Sequence, residues 1–429
     1  MIEANTSQYT LPEETLPGLE TSHYLSDLIQ FNKLLIERGI STKNTRIERY
    51  IKYLQLLVSK NTKDILEYEE VLNIFKNSKD CPCEHSMDIH LYIMREVHEL
   101  MWIYKGLIVH IPKGVDEKLE KIVCGRDFAA LDSDTESRNT QFELRIASYF
   151  CQTGCDVDVS TETDVIVYTK KEIFYIECKR VGNKNKLELR INEAKKQLLK
   201  RMPKKSNFRT IFGCIAIDVT KVAFNHNGLT WAMTPDHSRD MIREKLIEIA
   251  DDPAMKNLFD IKKDKNICNC WFQIHIPAWI RYPHTTSTRF SSLHVDNGAL
   301  TRKQHRAYNA FKEIFETASY EHDARLEKPK QLKIRKRIEL PAGTTYTIDD
   351  DLVQAFYNSD ELVVKDQFKI IGSLTIDGIE HKFCYEDFVY IFHNMDDSTR
   401  EYFRQDIDKA RIGLLIKMYL WRYPYEDTK

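Results

Sequence analysis

The sequence predicts an α/β protein, with an α/β core set between a helical N-terminal domain and a smaller α+β C-terminal domain. Three patterns carry this reading. Apolar residues recur every three or four positions across residues 21–130, the period of helices that bury one face. Short strand patterns then give way to a helix and to the nearly all-apolar run Thr210 to Val219, which suits a strand buried on both faces. Near the C-terminus, Asp377-Gly378 separates two apolar-rich runs, a strong hairpin signal.

Composition sets the outer limits. A chain of 429 residues has room for two or three domains. Its 42% hydrophobic and 30% charged residues argue against global disorder. No apolar run approaches the ~20 residues of a membrane-spanning helix, so no membrane partner is expected. Met1 to Leu16 lacks the basic start and apolar stretch of a secretory signal, and a cytoplasmic location is the default. Ten cysteines in a chain this long do not make a disulfide scaffold, and Cys178 and Cys214 read as reduced core residues. Cys81 and Cys83, near His85 and His90, and Cys268 and Cys270, near His275, lack the spacing of a zinc site. The net charge of −2 says nothing about partners, but its distribution does. Val165 to Thr210 holds 14 Lys and Arg against 4 Asp and Glu; Thr345 to Ala410 holds 6 against 15.

Along the chain, residues 1–20 read as a flexible leader with Pro12 and Pro17. The helical domain, 21–130, has stripes at Leu25, Leu28, Phe31 and Leu35, stopped by Gly39; at Ile47, Tyr50, Leu54 and Leu57; at Ile65, Tyr68, Leu72 and Phe75; and from Asp88 to Tyr104. These read as helix-packing core without a catalytic constellation. The next domain, 131–296, opens with a polar loop, Asp132 to Asn139, and a helix from Thr140 to Phe150. Strands are expected at Asp156 to Ser160, Asp164 to Tyr168 and Ile173 to Cys178, then a helix from Lys186 to Met202, the buried strand, and a later strand at Trp271 to Ile276. His226 reads as a turn histidine. The C-terminal domain, 297–429, has a helix from Thr301 to Thr317, a basic connector from Lys328 to Arg337, the hairpin, and one last helix from about Ser398 to Leu420.

The chemistry concentrates in residues 142–180. A two-residue turn at Lys170-Lys171 pairs Val167 with Phe174 and sets Asp164 opposite Glu177. Opposed residues share a face with Cβ atoms ~5 Å apart, and residues two apart on a strand share a face. Asp164, Glu177 and Lys179 therefore converge, with Cys178 between the last two. Glu143 shares a helix face with Ile146, Ala147 and Phe150 and is aimed at the sheet edge. Carboxylates are the ligands that Mg2+ and Mn2+ prefer, and a lysine beside them can act on a water or hold a phosphate. The basic block, including Lys170, Lys171, Arg180, Lys184, Lys186 and Arg190, suits nucleic-acid phosphates. No Walker loop or G-x-S-x-G is present.

The order of a helix Glu143, a strand Asp164, then Glu177 and Lys179 on the next strand resembles the PD-(D/E)xK nuclease superfamily, over about residues 138–225. Thr163 stands where the family has proline. The resemblance implies a restriction-endonuclease-like αβββαβ core and Mg2+-dependent phosphodiester cleavage, with Mn2+ able to substitute. It implies metal ligation by Glu143, Asp164, Glu177 and Cys178, a catalytic Lys179, and a polar Gln197 acting on phosphate or water. A DNA endonuclease of bacterial anti-phage defence fits this reading. The alternatives are an RNA-directed nuclease and a non-catalytic nucleic-acid-binding or scaffold protein of the same fold. The acidic C-terminal stretch is expected either to restrain the basic face or to join a protein partner or a second copy.

Overall fold

The computed structural model describes residues 14–15, 21–60, 67–75, 85–128, 135–204, 206, 208–224, 230–232, 235–255, 259, 264, 266–280, 285–296, 302–320, 330–331, 335, 337–358, 366 and 369–423. The leader apart from residues 14–15, Cys81, Cys83, Lys205, His226 and most of the basic connector lie outside the described residues. Among those described, no helix is long and apolar enough to cross a membrane. The chain divides into two compact units, Gly18–Asp323 and Met1–Pro17 with Ala324–Lys429. The short strand β1 (Glu14–Thr15) belongs to the second unit.

The larger unit begins with helices α1 (Thr21–Glu37), α2 (Arg46–Ser59), α3 (Tyr68–Ile74), α4 (Ser86–Val109), α5 (Val115–Val123) and α6 (Glu136–Gln152). A mixed sheet follows: β2 (Asp156–Asp158), β3 (Val165–Tyr168), β4 (Glu172–Arg180), helix α7 (Leu187–Arg201), β5 (Thr210–Asp218), the short α8 (Thr220–Ala223), β6 (Thr230–Ala232), α9 (Pro235–Ala250), β7 (Ile267–Ile280), β8 (Thr285–Asp296) and helix α10 (Arg302–Tyr320). The order β2-β3-β4-β5-β7 is antiparallel up to β4 and parallel from there to β7. β8 pairs along β7 from Asn269 to Ile280, while β5 and β6 meet the first and last parts of the same strand. The described protein is thus a mixed α/β fold.

Alternation along the strands divides the sheet between two cores. Val165, Val167, Phe174, Ile176, Phe212, Cys214 and Trp271 join one cluster with apolar residues of α1 through α6 and Phe311 of α10. Ile215, Ile217, Phe272 and Ile274 join another with Leu187, Ile191, Ala194 and Leu198 of α7 and Ile242 and Leu246 of α9. This explains the unbroken apolar run of β5: it is covered on both faces. The N-terminal helices share a continuous core with the sheet, and α10, placed by its sequence in the C-terminal region, packs in the same unit. Cys268 sits 3.6 Å from Cys214, sulfur to sulfur, while Cys270 faces the other core.

In the second unit, β9 (Lys330–Gln331) pairs with β1. A three-stranded sheet of β10 (Thr345–Ile348), β11 (Ile370–Ile376) and β12 (Ile379–Cys384) packs with α11 (Asp350–Asn358), α12 (Tyr385–Asn394), α13 (Asp397–Arg404) and α14 (Ile407–Arg422). The β11–β12 turn is the expected one: Asp377 and Gly378 take φ of 50° and 77°, the left-handed pair a two-residue hairpin needs. The single last helix expected from Ser398 to Leu420 is instead two helices. Asp406 interrupts it, accepting bonds from the N–H groups of Asp408 and Lys409 and so starting α14 afresh.

Candidate active site

Strand pairing builds the site. β3 and β4 pair Val165 with Ile176 and Val167 with Phe174, the register expected of a turn at Lys170-Lys171. One step further brings Asp164 beside the Glu177–Lys179 end of β4. Asp164 Oδ2 accepts the backbone N–H of Cys178 at 2.7 Å and lies 3.8 Å from Lys179 Nζ. Lys179 Nζ is 3.5 Å from Glu177 Oε2. α6 crosses this strand end and supplies Glu143. A cavity of about 470 Å3 opens there at the C-terminal ends of β4 and β5, between the N-terminal half of α6 and the face of α7 that carries Arg190 and Gln197. Crevices at strand C-termini are the usual binding place of sheets with parallel strands.

The expected residues divide into three groups by position. Glu143, Asp164, Cys178, Lys179, Arg180, Lys186, Arg190 and Gln197 all line the cavity. Glu177 does not: its side chain is fully buried, with Oε1 bonded to Arg201 of α7 at 2.7 Å. Lys170 and Lys171 are exposed at the hairpin tip, and Lys179 lies eight positions beyond Lys171 along β4, ~26 Å of strand. Lys184 is also outside the lining and pairs with Asp252 at 2.6 Å. Of the basic block, then, only part faces the cavity.

Electrostatics separate the carboxylates. Burial, and then the charge of Asp164, push the Glu177 carboxyl up to about 7 against the opposing pull of Arg201 and Lys179. The same two causes raise Glu143, opposed by Lys118 and Lys179. The Cys178 thiol is pushed well up by burial and by the neighbouring carboxylates, so it stays protonated and its sulfur does not suit a hard cation. The buried Gln197 Oε1 has no hydrogen-bond partner among the described residues, an acceptor left over for a water or a ligand in the cavity.

Sequence reasoning missed four side chains here. Lys118 of α5 pairs with Glu143 Oε2, and Arg201 holds Glu177. Asp218, at the end of β5, accepts from Arg180 at 3.3 Å, and Lys221 lines the cavity beside it. Lys118, Asp218 and Lys221 lie outside the motif, and only the fold brings them to it. Arg201 falls within the basic stretch Val165 to Thr210, where nothing local sets it apart from the other cations.

No family model, curated protein or solved structure matches this chain. The site must therefore be judged on its own chemistry.

Among the described residues no group of three or more His, Cys, Asp or Glu is gathered closely enough to hold a metal ion by protein ligands alone. Mg2+ commonly asks for less, one or two carboxylates with waters and substrate phosphates completing the shell. Glu143 and Asp164 meet that requirement at the cavity, and a divalent cation would offset both the burial that chiefly raises the Glu143 carboxyl and the neighbouring Asp164 charge that adds to it. The donor set fits.

Asp218 supplies a prediction about acid stability. Burial would raise its carboxyl, but the charges of Arg180, Arg145 and Arg95 hold it at about 2. Unfolded, an aspartate titrates near 3.9. Its stabilisation is therefore complete above about pH 4 and disappears as pH falls through about 2, a loss of about 2 kcal/mol. Asp218→Asn should flatten that part of the urea-unfolding free energy against pH. An unchanged slope between pH 4 and 2 would show that Asp218 is not its source.

Proposed function

We propose that this protein is a metal-dependent nuclease of the PD-(D/E)xK type. The observation that carries the reading is the meeting of Asp164, Glu177 and Lys179 at the end of β4, with Glu143 facing the same cavity. The order α6-β2-β3-β4-α7-β5 supports a restriction-endonuclease-like core, since it follows the αβββαβ succession of that fold.

In this reading Glu143 and Asp164 hold Mg2+ at the cavity. The bound ion supplies a water of lowered pKa and a clamp on the phosphate. Asp164 is fixed for this by the Cys178 N–H. Lys179, held as an ammonium between Asp164 and Glu177, orients the attacking water and offsets charge developing on the phosphate. Arg201 fixes Glu177, which in turn sets the position of the Lys179 ammonium. Arg180, Lys186, Arg190 and Lys221 give the cavity a cationic wall that attracts phosphates of any sequence.

The test is incubation of the purified protein with plasmid, single-stranded DNA and RNA, in Mg2+, Mn2+ or EDTA. Cleavage with either ion and none in EDTA is expected. The substrate cut decides between DNA and RNA, which share the phosphate chemistry read here. Nucleic-acid binding without cleavage under any condition would favour a binding module and end this proposal.

A further inference from the structure

Lys118 lies in a part of the chain, α5, that the motif does not include. Its ammonium pairs with Glu143 Oε2, and both side chains are only 16% exposed. The position is built rather than incidental. Gly114 precedes α5 with φ of 78°, and a Cβ there would stand 2.3 Å from Cβ of Ser160. Lys113 bonds through its backbone to Val157 and Val159, at 2.9 Å each, fastening the start of α5 to the β2 edge. Leu119 and Ile122, one and four residues on, are fully buried in the core. With both ends of its first turns held, α5 has little freedom to carry Lys118 away from Glu143.

The site's charges then balance. Glu143 faces Lys118, Asp164 faces Lys179, and Glu177 faces Arg201 and Lys179. Three carboxylates meet three cations. A divalent ion approaching these groups meets no net negative field from them and finds both of its carboxylates already facing a cation.

We propose that Lys118 is a built-in counter-cation that competes with the metal for Glu143, so that the metal loads well only when an anionic substrate phosphate offsets the displaced charge. This rests on the metal-dependent reading of the site and adds a residue and a loading order to it. Lys118 is in this sense a positioning residue, acting through Glu143. While the metal is away, it offsets part of the repulsion between Glu143 and Asp164. With a metal on Glu143 the Lys118 ammonium would lose its partner, and a phosphate bound beside Glu143 would be a fitting replacement.

The test measures metal binding rather than cleavage. Mn2+ is titrated into the full chain and the free ion followed by its electron paramagnetic resonance signal, for the wild type, Lys118→Met and Lys118→Arg. A unit charge ~4 Å away changes a monovalent cation's affinity by about fivefold even at the dielectric of water, and a divalent ion's by more. Lys118→Met should therefore bind Mn2+ at least about fivefold more tightly, with Lys118→Arg close to wild type. A duplex oligonucleotide with phosphorothioate linkages should tighten Mn2+ binding to the wild type more than to Lys118→Met. Thermal melting confirms that each variant is folded, and Lys118→Gln replaces Lys118→Met if the apolar end disturbs packing. Equal or weaker binding by the variant overturns the role of Lys118 alone. Absence of Mn2+ binding by every protein, with and without oligonucleotide, overturns the metal site itself and the inference with it.

Discussion

Lys179→Ala is expected to lower metal-dependent cleavage by a factor of about 10^2 to 10^3, the range for removing one positioned group that stabilises developing charge. Its ammonium stands 3.5 Å from Glu177 and 3.8 Å from Asp164, so no nearby cation can take its place without moving. Asp164→Asn should be comparably damaging for a different reason. The amide oxygen can still accept the Cys178 N–H, but the negative charge a metal needs is gone. The two variants can be told apart by Mn2+ binding, which Asp164→Asn should weaken and Lys179→Ala should not. Single-turnover cleavage that survives Lys179→Ala at near wild-type rate would remove the lysine from the chemistry.

The second large effect is expected far from the cavity. Glu96 of α4 is buried, and its Oε2 accepts from Arg46 of α2 at 3.2 Å, from Gln141 at 3.3 Å and from Arg138, both on α6. Three residues on, Glu99 pairs with Arg145 at 3.0 Å, and Arg145 continues to Gln273 of β7 at 2.9 Å. This buried ladder ties the N-terminal helices to the sheet that carries the site. Glu96→Ala would leave the Arg46 and Arg138 charges enclosed without this carboxylate, at a cost of about 3–5 kcal/mol. That is a large part of the ~5–15 kcal/mol holding a typical domain together. Urea unfolding should show the loss as a much lower midpoint. A shift worth under about 1 kcal/mol would mean that other groups satisfy the two guanidinium groups. Replacing Glu96, Arg46 and Arg138 together by apolar residues should cost less than Glu96→Ala alone, because breaking a buried ion network is worse than removing it.

This ladder also shows where reading from sequence stops. The stripes of α2 and α4 were legible as buried helix faces, and so they are. Glu96, Glu99, Arg138 and Arg145 share helical spacings with those apolar residues, and that spacing was the available sign that the charges were inside. Charged residues in a helix are ordinarily solvated, so the sign reads as a surface face until another helix is placed against it. β8 was missed for a related reason: its run of Thr and Ser shows no apolar alternation, and its strand is set by pairing with β7 along twelve residues.

Local pairing and periodicity were enough for the strand end that carries the candidate site. The turn at Lys170-Lys171, the two-residue alternation of β4 and the helical face of Glu143 place four side chains from within some forty residues of chain. These are short-range rules, and sequence alone determines them. What surrounds those four side chains is a long-range matter. Lys118 reaches Glu143 because Gly114 lets α5 start against Ser160, Arg201 reaches Glu177 because α7 folds back over the sheet, and Asp218 meets Arg180 because β5 runs parallel to β4. Each contact joins segments brought together by burial of apolar faces, a force without direction or sequence code of its own. The motif was therefore written in the sequence, while the counter-charges that set its electrostatics were decided by packing.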